Sequence, residues 1–229
     1  RKAPLHVFFY GLVFVVMGYV FSYYFSTAPE TVITLSTLFL LVGPFLAIGL
    51  YDLAKQLDDP GKGAAQRPSL WHSMIAWRTN IQGFSLYAVL LAVLVFAWFR
   101  TSLLMFALFY DASGLTSLEH VLTHALLPVN RMFLFTYFGS GFVFALLVFA
   151  SSAIALPMLL DKDIDTITAV LTSLQVVMQN GLPMLLWAGL IVGLCVLGFL
   201  TFYIGLAFTV PLVGLATWYA YRDLISYET

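Results

Sequence analysis

Between Thr166 and Tyr221 the sequence contains no Asp, Glu, Lys or Arg. The later part of that run, Gly181–Tyr221, is strongly apolar, and as one straight helix it would be roughly 60 Å long. A bilayer's hydrocarbon core is only about 30 Å thick. The run must therefore fold back on itself, and Gly198 to Gly205 is the place where the sequence allows it. Two membrane helices follow from this stretch alone. The composition agrees: 62% of the residues are hydrophobic and 9% charged, against about 25% charged in soluble domains. So few charges cannot coat a water-soluble particle, which excludes a soluble enzyme and a disordered linker. The formal net charge of −1 excludes a nucleic-acid footprint. The single cysteine, Cys195, allows neither an intrachain disulfide nor a cysteine-based metal cluster.

Other charge-free runs of spanning length give the remaining crossings. The first extends from Ala3 to Pro29, and its length and aromatic content argue against a cleavable signal peptide. The chain opens on Arg1 rather than Met, which leaves room for residues ahead of it. The turn Thr27-Ala28-Pro29-Glu30 makes the first and second helices an antiparallel hairpin. The fold class is all-α: a single transmembrane domain over 1–229, with six helices as three hairpins at 5–26, 31–53, 79–100, 132–157, 182–199 and 203–222. If both termini share a side, that side holds Arg1, Lys2, Lys55, Lys62, Arg67, Arg78, Lys162 and Arg222, against Arg100 and Arg131 opposite. The positive-inside rule then puts both termini in the cytoplasm.

Three segments read as interfacial helices. Residues 69–78 carry Trp71, Ile75 and Arg78 at helical spacing, a lipid or partner contact or simply the lead into the third span. Residues 163–180 carry the apolar stripe Ile164, Ile167, Leu171, Leu174 and Met178 with Thr and Gln opposite. Asp161, Asp163 and Asp165 at its start share the opening spacing of a calcium loop, but Thr166 and Thr172 stand where that loop needs Gly and Glu. Helix capping is the reading they support. Residues 115–127 form the third segment and hold His120 and His124, four apart on one face. Such a pair could hold haem, copper or zinc, with Glu119 adjacent. The zinc-protease pattern fails, because Val121 follows His120.

Costly polar groups and helix breakers mark the other candidate positions. Arg100 closes the third span and is expected to snorkel to the outer interface beside Trp98. A span displaced to Phe84–Tyr110 would instead bury it and require Asp111 or Glu119 as a partner. Pro44, Pro157 and Pro211 lie near the inner ends of the even-numbered helices, followed by Asp52, Asp161 and Asp223 after near-whole helical turns. Three proline kinks could open a shared cytoplasmic vestibule, or only let the hairpins splay. Gly189 and Gly193 form a small-residue face on the fifth helix, as Gly141 and Ala145 do on the fourth. Those contacts suit either internal or intersubunit packing.

Several of these segments together carry a resemblance. They are Gly43-Pro44-Phe45 with Gly49-Leu50-Tyr51, Trp98-Phe99-Arg100, and Leu156-Pro157-Met158-Leu159-Leu160-Asp161-Lys162-Asp163. The ending adds Pro211-Leu212-Val213-Gly214 and Ala216-Thr217-Trp218-Tyr219-Ala220-Tyr221-Arg222-Asp223-Leu224. The chain resembles domain of unknown function 2189, an uncharacterised family of bacterial integral membrane proteins. The resemblance implies six helices in a bacterial inner membrane and transfers no catalytic residue. The expected role is a non-catalytic membrane subunit or scaffold, surrounded by lipid and by other subunits of a larger complex, respiratory or photosynthetic. A transporter or channel for a small or amphiphilic molecule is the alternative. A metal- or haem-binding protein through His120 and His124 is the third.

Overall fold

In the computed structural model the described residues are 3–27, 46–58, 69–109 and 131–226. They form helices and turns only: α1 (Ala3–Thr27), α2 (46–58), α3 (Leu70–Met74), a 3-10 turn (Ala76–Asn80) and α4 (Ile81–Phe109). Then come α5 (Arg131–Ser152), α6 (Ala155–Asp161), α7 (Thr166–Gln179), α8 (Gly181–Leu200) and α9 (Leu206–Ser226). Among the described residues, four stretches are long and apolar enough to cross a membrane: His6–Tyr24, Ala76–Phe109, Arg131–Asp161 and Gly181–Leu200. The expected second span lies largely outside the described residues. α9 carries Arg222 and Asp223 near its C-terminal end at Ser226.

The chain divides into two compact units, Arg1–Tyr87 with Ala150–Thr229, and Ala88–Phe149. In the first unit, α1 and α9 lie side by side. Phe8 meets Phe208, and Tyr19 meets Tyr203, so the two helices run antiparallel. Their backbones approach tightly where Pro211, having no N–H, leaves the Ala207 carbonyl without its helical donor. That carbonyl faces Gly11, and a Cβ on Gly11 would overlap it. The contact needs glycine for space, not for conformation. Tyr10 fits over Gly49 in the same way. α2 runs parallel to α9, since Leu50 lies against Gly214 and Asp58 pairs with Arg222.

The turn between α8 and α9 falls at Thr201–Gly205, where the sequence places it. Glycine does not make the reversal, however. Phe202 and Tyr203 adopt left-handed backbones, with φ of 53° and 66°. The Tyr203 ring packs tilted against Tyr19, edge-to-face with Phe199 and over Gly18, and these contacts offset the strain of a side chain at positive φ.

The expected fourth span, 132–157, is not one continuous kinked helix. α5 ends at Ser152 and a new helix begins at Ala155. Pro157 therefore occupies the first turn of α6, where a missing N–H costs nothing. Ser173, wholly buried on α7, occupies the break. Its hydroxyl accepts from the Ile154 N–H at 3.2 Å and donates to the Ala150 carbonyl at 2.7 Å. In a continuous helix those two backbone groups would bond each other.

In the second unit, α4 and α5 form an antiparallel aromatic hairpin. Trp98 packs on Tyr137 and Phe144, Phe106 on Phe133 and Tyr137, and Phe109 on Phe133. The Trp98 ring would lie 3.1 Å from a Cβ on Gly141. Gly141 is thus an internal packing position, one of the two roles its small-residue face left open. α4 continues nine residues past Arg100, the residue expected to close the third span, and the stack on α5 accompanies that extension. Arg100 is exposed and extends over the Phe96 ring at 5.4 Å.

Candidate functional site

Charged residues are few, and Asp52, Lys55, Asp58, Asp161 and Arg222 meet at the C-terminal end of α2. Asp52, Lys55 and Gln56 are three and four residues apart and so share a helix face. Asp52 is only 4% exposed. A buried carboxylate requires compensating donors, and the Gln56 side-chain amide supplies one at 2.6 Å. The His72 Nε2 lies 3.7 Å from the other carboxylate oxygen, an electrostatic contact beyond hydrogen-bond length. Gln56 reaches further, its carbonyl oxygen accepting the Ser69 N–H at 2.8 Å. Ser69 itself caps α3 through the His72 N–H.

Beside Asp52, the Tyr10 hydroxyl meets Ser73 Oγ at 2.8 Å. Ser73 donates its one hydrogen to the Leu70 carbonyl, so Tyr10 is the donor in the shared bond. One turn along, Lys55 Nζ pairs with Asp161 at 3.0 Å and donates to the Leu160 carbonyl at 3.1 Å. The second oxygen of Asp161 accepts from the Tyr221 hydroxyl at 3.0 Å. Arg222 and Asp58 close the set at 2.9 Å. The C-terminal ends of α2, α6 and α9 therefore meet in one ionic junction, and α1 and α3 cover one side of it. These are the three helices that the proline–aspartate spacing singled out. Their ends are joined by matched charges: Asp52 and Asp161 lie within the junction, whereas Asp223 is exposed.

The aspartates at the start of α7 separate in function. Asp165 is the N-cap: its carboxylate accepts the Thr168 N–H at 2.9 Å and the Thr168 hydroxyl at 2.7 Å. Those bonds hold its carboxyl below the usual range. Asp161, expected to cap as well, is turned to Lys55 and Tyr221 instead. α7 buries its small side, Thr166, Ala169, Ser173 and Val176, and leaves Ile167, Leu171 and Met178 exposed. Hydroxyls explain why: Thr166 donates to the Gly83 carbonyl at 2.8 Å as Ser173 bonds the α5–α6 break.

Other expected positions distribute differently. Residues 69–78 are not one helix; α3 ends at Met74 and a 3-10 turn leads into α4, whose N-terminus Asn80 caps by accepting the Gly83 N–H. Cβ atoms on Gly189 and Gly193 would meet nothing within 4 Å, so among the described residues these two positions of α8 face open space. Pro44, His120, His124 and the expected helix 115–127 lie outside the described residues. Reasoning from sequence missed Lys55, Gln56, Tyr10, Ser73 and Ser173. The one available signal was the i, i+3, i+4 polar spacing of Asp52, Lys55 and Gln56 at the end of an apolar run.

A family model for predicted integral membrane proteins, DUF2189, matches residues 32–161, more than half of the chain. The matched region contains α2, the aromatic hairpin and Asp161, and ends before α9. No curated protein and no solved structure matches the chain.

Proposed function

We propose that this chain, which belongs to the DUF2189 family of integral membrane proteins, is a non-catalytic membrane subunit or scaffold that packs against a larger complex. The reading places it in the inner membrane of a bacterium, with six crossings and both termini in the cytoplasm. The observation that carries it is the ionic junction. Lys55 with Asp161 and Arg222 with Asp58 are matched within the chain. Their role in this reading is to fasten α2, α6 and α9. Meanwhile α5 and α8 present wide apolar faces, with Phe135, Phe138, Leu182 and Leu186 each more than 60% exposed. The Gly189–Gly193 face of α8, open among the described residues, suits close approach by a helix of another subunit. Mild-detergent purification from native membranes tests this: a partner should co-purify in stoichiometric amount. A bare monomer from every detergent would refute it.

Transport is the second reading, and the convergence of α2, α6 and α9 favours it. In that reading the junction is a closed inner gate, and breaking Lys55–Asp161 should produce solute flux in reconstituted vesicles. Binding of haem, copper or zinc at His120 and His124 is tested by metal analysis and an optical spectrum of the pure protein.

A further inference from the structure

The segment 71–81 has a sharply divided surface. Ser73 and Ala76 are buried, and three contacts fix the inner side: Tyr10 to Ser73, Ser69 to Gln56, and the Asn80 side-chain amide to the Ile164 carbonyl at 3.1 Å. The opposite side presents Trp71 at 71% exposure, Met74 and Ile81. Arg78 lies on that side, exposed, with its guanidinium 5.4 Å from the centre of the Trp77 ring. Among the described residues no carboxylate pairs with Arg78. The segment runs into and overlaps the start of Ala76–Phe109, a stretch long and apolar enough to cross a bilayer, and its Trp and Arg side chains are of the kind that suit a headgroup layer.

We infer that the outward face of residues 71–81 is a docking surface for anionic phospholipid, with the lipid phosphate on Arg78 and the headgroup–acyl boundary against Trp71 and Met74. The charge requires an anion, and a planar guanidinium offers two parallel donors to phosphate oxygens. The cation–π contact with Trp77 restrains the guanidinium and limits the entropy lost on binding. Trp71 provides the amphipathic ring suited to the interface. The occupant is a lipid rather than a polypeptide because the apolar flank is continuous with the surface of a membrane-crossing helix.

Native mass spectrometry of the full chain in detergent, titrated with phosphatidylglycerol or phosphatidylcholine, tests the assignment. Arg78→Gln should lower phosphatidylglycerol retention about fivefold, the effect of one basic residue at an anionic surface. Phosphatidylcholine retention should be unchanged, and Arg78→Lys should fall between. Equal retention by Arg78→Gln and the unaltered chain would overturn the proposal, as would an equal loss for both lipids. If Arg78→Gln does not fold, salt decides on the unaltered chain: added KCl should weaken phosphatidylglycerol but not phosphatidylcholine retention. Salt-insensitive retention, or a co-purifying polypeptide that displaces the lipid, would also overturn it.

Discussion

Replacing Ser173 with alanine removes one oxygen from a wholly buried position and leaves two backbone groups to be satisfied. In the native arrangement the Ser173 hydroxyl stands between the Ile154 N–H and the Ala150 carbonyl. Each buried group left without a partner costs about 1–3 kcal/mol, so an unrelaxed Ser173→Ala chain would lose about 2–6 kcal/mol. The loss would fall to about 1 kcal/mol if α5 and α6 closed into one helix and the two groups bonded directly. Pro157 opposes closure, because its ring collides with the carbonyl of residue 153 in a continuous helix and it has no N–H to give. We therefore expect about 2–4 kcal/mol, read by denaturant unfolding in detergent, with faster hydrogen exchange at the Ile154 amide. Adding Pro157→Ala should return part of the loss, a coupling that separates this mechanism from general loosening. A loss below about 0.5 kcal/mol with unchanged exchange at Ile154 would refute the reasoning.

Gly11→Ala drives a methyl into the Ala207 carbonyl and should destabilise the chain by about 1–3 kcal/mol, measured by thermal unfolding. Lys55→Met leaves Asp161 half-buried beside the Tyr221 hydroxyl and should cost about 1–2 kcal/mol, whereas Lys55→Met with Asp161→Met should recover most of it; a double-mutant unfolding cycle measures the pair. At the α8–α9 turn, Phe202→Gly should be neutral or stabilising by up to about 1 kcal/mol, because Phe202 is exposed at positive φ. Tyr203→Gly, which loses its ring contacts, should destabilise in the same melting experiment. Asp165 has a depressed carboxyl, so its capping contribution is complete above the unfolded Asp range near 4 and is lost as pH falls through the lower folded value. Exchange at the Thr168 amide should accelerate only on that acid side, and Asp165→Ala should abolish the pH dependence.

Much of this molecule follows from local rules. Charge-free runs of spanning length mark membrane helices because lipid cannot solvate an ion or an unpaired peptide. Those runs also located the α8–α9 reversal, and an Asp before Thr-Ile-Thr marked a cap. The small face at Gly141 correctly indicated close packing, though its partner, Trp98, is more than forty residues away. What lay beyond the sequence depends on which distant groups meet. Nothing local distinguishes Asp161, bound to Lys55 and Tyr221, from Asp165, which caps a helix. Nor does proline alone decide between a kink and a break. At 211 the helix continues, and Gly11 makes room for the freed carbonyl; ahead of 157 the helix breaks after Ser152, where Ser173 from another helix satisfies the opened bond. In an apolar medium the few polar groups must find one another, and that search is settled by tertiary packing, not by sequence neighbours.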